Sequence, residues 1–133
     1  MNAVLTITGY FLILLALFHV VFPVYFKWAQ ELLSISLVTR QIVYVHTFFI
    51  GLTLLLMGLL CLTASSELQY TLLGRKVALG LSIFWLARLF IQWFIFSPRL
   101  WKGKIFETGM HVLFSFFWIS LSTVFILIYL TNK

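Results

Sequence analysis

Charged side chains are scarce in this chain: they make up 9% of its 133 residues, whereas hydrophobic residues make up 63%. A water-soluble domain usually carries about 25% charged residues. Too few polar side chains are therefore present to cover a surface that faces water. The charges are also missing from long blocks rather than thinly spread, and this pattern indicates that the solvent of the folded chain is a lipid bilayer.

Cysteine is almost absent as well. Cys61 is the only one, which excludes an intrachain disulfide and a cysteine metal cluster. The phosphate-binding glycine loop, the G-x-S-x-G elbow and the H-E-x-x-H pair do not occur. The formal net charge of +6 does not indicate nucleic-acid binding, because the basic residues stand between apolar segments instead of forming a stripe.

Four apolar segments are long enough to cross a bilayer, which takes about 20 residues of helix. They are residues 3–26, 42–64, 77–96 and 105–130. Short connections force antiparallel neighbours, so we predict an all-α fold, a four-helix antiparallel bundle that forms a single transmembrane domain over residues 1–133. Residues 28–40 are predicted to form a brief interfacial helix, and residues 65–76 a turn or a short helix.

The flanking charges predict an orientation. Basic residues are more numerous beside the first and third linkers (Lys27, Arg40, Arg99, Lys102, Lys104) than on the other side (Arg75, Lys76, Lys133). The positive-inside rule then puts both termini outside the cytoplasm, in what we expect to be a bacterial cytoplasmic membrane. The first segment is expected to be a retained helix, because it has neither the basic start nor the cleavage site of a signal peptide.

Small residues predict close helix packing. Thr47, Gly51 and Gly58 fall near one side of the second span, and Gly80 lies on the third. Such residues allow helix backbones to approach each other closely inside a membrane.

Each of the four spans contributes a histidine or an arginine at a similar distance from the same charged edge. Counted from the nearest charge, and at 1.5 Å per residue, His19, His46, His111 and Arg88 lie at depths of roughly 12, 9, 10 and 16 Å. The long arginine side chain can reach back towards the interface. Because ionisable residues inside a membrane are expensive and commonly functional, we predict that these four form one polar layer.

Helical spacing adds partners to this layer. Gln92 is one turn from Arg88, and Glu107, His111 and Ser115 follow one another at intervals of four residues. Side chains at this spacing share a helix face. Glu107 is therefore expected to orient His111 or to pair with Arg88.

Haem b is the first ligand that the layer predicts. Two of His19, His46 and His111 would ligate the iron. The propionates would meet a polar group of residues near the edge, namely Arg40, Gln41, Gln92, Arg99 and Lys104. The segments 40–46 and 84–93 look like signatures of a membrane family. The arrangement of the chain is similar in outline to the haem-bearing membrane anchors of respiratory enzymes, an architectural analogy rather than a motif.

Other interpretations stay open. A quinone or an anionic lipid-like ligand would accept hydrogen bonds from Arg88, Gln92 and the histidines. Three histidines could also hold a catalytic metal, although Arg88 beside a dication disfavours it. The alternative to a bound ligand is an accessory or anchor subunit, which would dock against other membrane subunits or against a second copy of the chain. The leading prediction is an electron-transfer role with haem b or a quinone-like ligand.

Overall fold

The structure is a computed structural model that describes residues 2–95 and 103–131, and these residues form an all-α protein. Among these described residues, four helices are long and apolar enough to cross a membrane. They are α1 (Asn2–Tyr25), α3 (Leu37–Thr63), α5 (Leu72–Phe90, continued by a π-helical turn Ile91–Ile95) and α6 (Ile105–Thr131). The predicted fold class is thereby confirmed.

Two of the helices begin five residues before the predicted spans. Ser36 caps α3 by accepting a hydrogen bond from the Thr39 backbone N–H at 3.2 Å. Thr71 caps α5 in the same way, through the Gly74 N–H at 2.9 Å. The predicted spans began after the nearby basic residues, whereas the capping side chains start each helix before them. The predicted end of the third span at Phe96 lies outside the described residues, as do Arg99, Lys102 and Lys133.

Short helices follow α1 and α3, as the lengths of the first two linkers predict. Helix α2 (Trp28–Glu31) and a 3₁₀ turn (Leu32–Ser34) follow α1, and α4 (Ser65–Tyr70) follows α3. The Trp28 ring packs edge-on against Tyr44 of α3, with 5.6 Å between ring centroids. This contact holds the start of the first linker against the first turns of α3.

The chain divides into two compact units, Met1–Ser65 and Ser66–Lys133. In the first unit α1 packs along α3, and Gly9 and Gly58 lie against each other's backbone. A Cβ atom on Gly58 would lie 2.8 Å from the Gly9 carbonyl oxygen and 2.7 Å from Ile13 Cγ1. Gly58 therefore lies on the packed face, as the small-residue pattern predicts.

In the second unit α5 packs along α6, with polar contacts spread over its length. Ser82 Oγ donates to the Ser122 carbonyl oxygen at 3.2 Å, and both residues are buried. Arg75 Nη2 donates to the Tyr129 carbonyl oxygen at 3.4 Å, and the guanidinium lies 5.5 Å from the Tyr129 ring centroid. These pairs fix the antiparallel register of α5 and α6.

Large apolar side chains cover the outer faces of the long helices. Val24 is 79% exposed and Ile105 is 94% exposed, and many further Leu, Ile, Val and Phe side chains are at least half exposed. A soluble monomer rarely exposes contiguous apolar surface on this scale. These faces suit a hydrocarbon environment, so the chain has the architecture of a multi-pass helical membrane protein.

Candidate functional site

Polar side chains of α5, its π-helical turn and α6 converge within the second unit. We call this group the polar cluster; its members are Arg88, Gln92, Trp93, His111, Ser115 and Trp118. His111 is six residues after the first residue of α6, about 9 Å along the helix axis at 1.5 Å per residue. The cluster therefore lies well inside the apolar spans.

Gln92 is the centre of the polar cluster, and only 7% of it is exposed. Its Oε1 accepts hydrogen bonds from Arg88 Nη1 at 3.3 Å and from Trp118 Nε1 at 3.5 Å. Its Nε2 lies 2.8 Å from His111 Nδ1. The one-turn spacing of Arg88 and Gln92 thus produces a direct contact, and Gln92 links that pair to the facing helix.

Ser115 is a second junction between the two helices. Its Oγ accepts a hydrogen bond from Trp93 Nε1 at 2.9 Å and donates one to the His111 carbonyl oxygen at 2.8 Å. Gln92 and Trp93 are consecutive, yet both reach α6 because they lie in the π-helical turn. Single π-helical turns inside α-helices are frequent at functional sites.

Aromatic rings form one wall of the polar cluster. Trp118 stacks on Trp85 with 5.2 Å between centroids and an interplanar angle of 10°, and on Phe114 at 5.7 Å and 9°. The Arg88 guanidinium lies 5.0 Å from the Trp118 ring centroid, a cation–π distance. Trp85 is buried, and its indole Nε1 has no hydrogen-bond partner among the described residues.

The chemistry of the polar cluster is dominated by donors. Arginine and tryptophan side chains can only donate hydrogen bonds, and the cluster contains Arg88, Trp93 and Trp118, with Trp85 beside it. The guanidinium is also a permanent positive charge. Glu107, predicted to orient His111, is an exposed residue in the first turn of α6; the partner that the structure gives to His111 Nδ1 is Gln92. The single N–H groups of Trp93 and Trp118 are already donated to Ser115 and Gln92, so the donor that an acceptor oxygen of a ligand would satisfy is Trp85 Nε1.

His19 belongs to a different site, in the first unit. It lines a half-open groove of about 330 Å³ between α1 and α3, together with mainly apolar side chains such as Val20, Phe48 and Leu52. Its Nδ1 lies 2.8 Å from the Leu15 carbonyl oxygen. A Cβ on Gly51 would lie 3.3 Å from His19 Cβ, so the glycine gives the imidazole room against α3.

His46 does not line this groove, and it is exposed. Because Gly51 is the residue of α3 that faces His19, His46 lies five residues, or about 7.5 Å, nearer to the start of α3. The sequence-based depths, counted from Lys27 for His19 and from Arg40 for His46, differ by only about 3 Å. The difference arises because the two charges are not at one level: Lys27 follows the end of α1, whereas Arg40 lies within α3.

The predicted metal site finds no support. Within residues 2–95 and 103–131, no group of three or more His, Cys, Asp or Glu side chains is arranged to hold a metal ion.

Two of the residues that were predicted to meet haem propionates, Arg40 and Gln41, lie near the start of α3. Gln41 is exposed. Arg40 is partly buried, and its Nε has no hydrogen-bond partner in the described part of the chain.

Sequence reasoning missed the tryptophans as hydrogen-bonding members of the site. Trp93 and Trp118 donate to Ser115 and Gln92, but tryptophan in a membrane span is usually packing or lipid contact, so composition gives no signal for this role. A sequence signal for Trp118 was available, because it lies three residues after Ser115 and residues three apart share a helix face.

Comparisons of the chain with known protein families, with curated proteins and with solved structures find no match. The function is therefore inferred from the fold and from the two sites. They define a multi-pass helical membrane protein with a donor-rich polar cluster in one unit and a histidine-lined groove in the other.

Proposed function

We propose that this chain binds a quinone at the polar cluster and serves in electron transfer between membrane proteins. The observation that carries the proposal is the buried N–H of Trp85, a donor without a partner among the described residues, whose ring stacks on Trp118 of the polar cluster. A quinone offers two carbonyl oxygens as acceptors on a ring that dissolves in the bilayer. The redox partners would be other membrane subunits, docked on the exposed apolar faces.

The buried indole of Trp85 supports an acceptor-bearing ligand. A buried donor without a partner costs about 1–3 kcal/mol, and Trp85 Nε1 has no partner among the described residues. Trp85 stacks directly on Trp118, a member of the polar cluster. A carbonyl oxygen that entered beside these rings would remove this cost, which favours binding.

The depth of the cluster favours a quinone over the phosphate of a lipid headgroup. Both are oxygen acceptors, but His111 lies about 9 Å inside α6. An anionic phosphate loses far more hydration at this depth than a neutral carbonyl does. A lipid would also bring its phosphate to the interface, whereas a quinone ring can enter the hydrocarbon region.

Direct binding tests the proposal. The full chain in lipid nanodiscs is titrated with a short-chain benzoquinone and, in parallel, with phosphatidylglycerol, and bound ligand is measured by equilibrium dialysis. We expect saturable quinone binding that phosphatidylglycerol does not displace. Ser115→Ala should strengthen it about fivefold, because the Trp93 N–H is left without its acceptor at a cost of about 1 kcal/mol, which a quinone carbonyl oxygen would remove.

Ser120→Ala is the matched control for that variant. Ser120 also lies on α6 and also donates to the carbonyl oxygen four residues before it, Phe116, at 2.9 Å. Its substitution should leave the quinone affinity unchanged. Absence of saturable quinone binding by the wild-type protein, or displacement of quinone by phosphatidylglycerol, would contradict the proposed ligand.

A second candidate function, haem b binding, is favoured by the bonding of His19. A carbonyl oxygen only accepts, so the contact with Leu15 requires the proton on Nδ1 and leaves the lone pair on Nε2. This is the state in which histidine ligates iron, with the other nitrogen held by a backbone carbonyl. Arg40, whose Nε is unpartnered among the described residues, lies one turn from the groove residue Tyr44 and would suit a propionate.

Visible spectroscopy tests this second candidate. The chain is expressed with adequate haem supply and purified in mild detergent, and spectra are recorded with and without dithionite. We expect a Soret band that His19→Ala removes, because the imidazole that would hold the haem iron is lost. Tyr10→Ala, which replaces an exposed aromatic side chain of the same helix, should retain the band. A wild-type protein without a Soret band rules out haem in the groove.

A further inference from the structure

The groove between α1 and α3 is as deep as one leaflet of a bilayer. On α3 its lining runs from Tyr44 to Leu55, a distance of about 16 Å along the helix axis at 1.5 Å per residue. The hydrocarbon core of a bilayer is about 30 Å thick, so this length matches half of it. Because the lining is mainly apolar and the groove is half-open, one acyl chain of a leaflet fits along it.

A basic residue continues each wall of the groove. On α3, Arg40 lies four residues before the lining residue Tyr44 and therefore shares its helix face. On α1 the last lining residue is Pro23, and Lys27 follows four residues later. Lys27 adopts the left-handed conformation (φ 53°) that turns the chain from α1 into α2.

These two basic residues lie at the same end of the groove. Because α1 and α3 pack antiparallel, the end of α1 lies beside the start of α3. A Cβ on Gly51 would contact His19, so these two residues are at one level. From that level Lys27 is about 12 Å away along α1 and Arg40 is about 16 Å away along α3. Both cations therefore stand at the mouth of the groove.

The mouth of the groove has the charge and the aromatic side chains of a headgroup site. Arg40 is partly buried, and its Nε is a buried donor without a partner among the described residues. Glu31 is the one acidic residue of the first unit; it is exposed and, within the described part of the chain, pairs with neither Lys27 nor Arg40. Trp28 and Tyr44 meet edge-on here, and such amphipathic rings prefer the headgroup level.

We propose that the first unit binds one anionic phospholipid, with an acyl chain in the groove between α1 and α3 and its phosphate at Lys27 and Arg40. A phosphate oxygen would accept the unpartnered hydrogen of Arg40 Nε, and Lys27 would add a second positive charge. A zwitterionic lipid carries its own cation beside the phosphate, so it gains less from these two residues. The proposal is independent of the quinone at the polar cluster, whereas haem and the acyl chain exclude each other from the groove.

Native mass spectrometry of the delipidated full chain in mild detergent measures this binding. The protein is titrated with dioleoyl phosphatidylglycerol and with dioleoyl phosphatidylcholine. We expect one phosphatidylglycerol to bind about tenfold more tightly. Arg40→Gln should weaken it about tenfold, because a hydrogen bond to a charged group is lost. Arg75→Gln, the same change near the start of α5, should leave the affinity as in the wild type.

Two neighbouring leucines of α3 test the groove itself. Leu55 lines its inner end, whereas Leu56 does not line it and is 56% exposed. Leu55→Trp should fill this end and weaken the binding of dioleoyl phosphatidylglycerol about fivefold through lost van der Waals contacts. Leu56→Trp should not. Dihexanoyl phosphatidylglycerol, whose chains are too short to reach Leu55, should bind equally well to Leu55→Trp and to the wild type.

Three results would overturn the proposal. The first is equal affinity of the wild type for the two dioleoyl lipids, or an equal loss in Arg40→Gln and Arg75→Gln. The second is displacement of phosphatidylglycerol by inorganic phosphate at the same concentration, which would show an anion site that does not use the groove. The third is a Soret band from stoichiometric haem in the same preparation that His19→Ala removes, since haem would then occupy the groove.

Discussion

Replacement of Arg88 by methionine should weaken quinone binding by about one to two orders of magnitude while the protein stays folded. The guanidinium donates to Gln92 Oε1 and lies over the Trp118 ring, so it sets the charge of the whole cluster. Hydrogen bonds to a charged group contribute about 1.5–3 kcal/mol, which is a loss of affinity of about 10- to 150-fold. The orientation of the Gln92 amide would also lose one of its two fixing donors.

The fold should tolerate this change. An arginine in the middle of a membrane helix costs about 2.5–3.5 kcal/mol, and methionine has a similar length with no charge to bury. Thermal unfolding in detergent should therefore show a variant at least as stable as the wild type. A stability that rises while affinity falls is the pattern of a charge that is retained for function.

Arg75→Met is the matched control. Arg75 is also on α5 and also contacts α6, through the Tyr129 ring and carbonyl oxygen, but it lies 13 residues away near the other end of the helix. Its replacement should leave quinone affinity unchanged. Normal binding by Arg88→Met would show that Arg88 is a structural residue and that the polar cluster is not the quinone site.

Substitution of Gly58 by leucine should unfold the first unit. The α1 and α3 backbones meet at this glycine, where even a Cβ would lie 2.8 Å from the Gly9 carbonyl oxygen. Backbone cannot move aside as a flexible side chain does, so the helices would have to separate. We expect a loss of about 3 kcal/mol or more in the free energy of unfolding, the upper range for overpacking.

Unfolding by SDS in mixed micelles measures this loss. Gly80→Leu is the control, because nothing lies within 4 Å of a Cβ built on Gly80, and its change in stability should stay within about 0.5 kcal/mol. Equal stabilities of the two variants would contradict the close crossing. The same comparison separates the two glycines that the sequence pattern treats alike: Gly58 is packed, and Gly80 is exposed.

The spans and the local contacts were predictable because they depend on composition and on the helical repeat. Apolar length alone locates four helices, and a spacing of four residues brings Arg88 to Gln92. The contact of Gln92 with His111 joins two helices. Depth counting placed His111 and Arg88 in one layer, and the spacing of four residues added Gln92 to that layer.

The remaining details depend on features that a one-dimensional pattern does not contain. The π-helical turn at Ile91–Ile95 brings Trp93 to Ser115, and no periodicity calculation for an ideal helix predicts it. His46 was placed at the level of His19 because Arg40 was taken as the helix edge. The Ser36 cap and the contact between Gly51 and His19 determine the actual register.

The stack of Trp85 on Trp118 gives the second unit a built-in optical reporter. Two indoles that are nearly parallel, with 5.2 Å between their centroids, couple their electronic transitions, and one belongs to α5 while the other belongs to α6. The near-ultraviolet circular dichroism of the chain should therefore depend on whether these two helices are docked. Docking of the helix pair can then be followed during insertion into a bilayer without an attached dye.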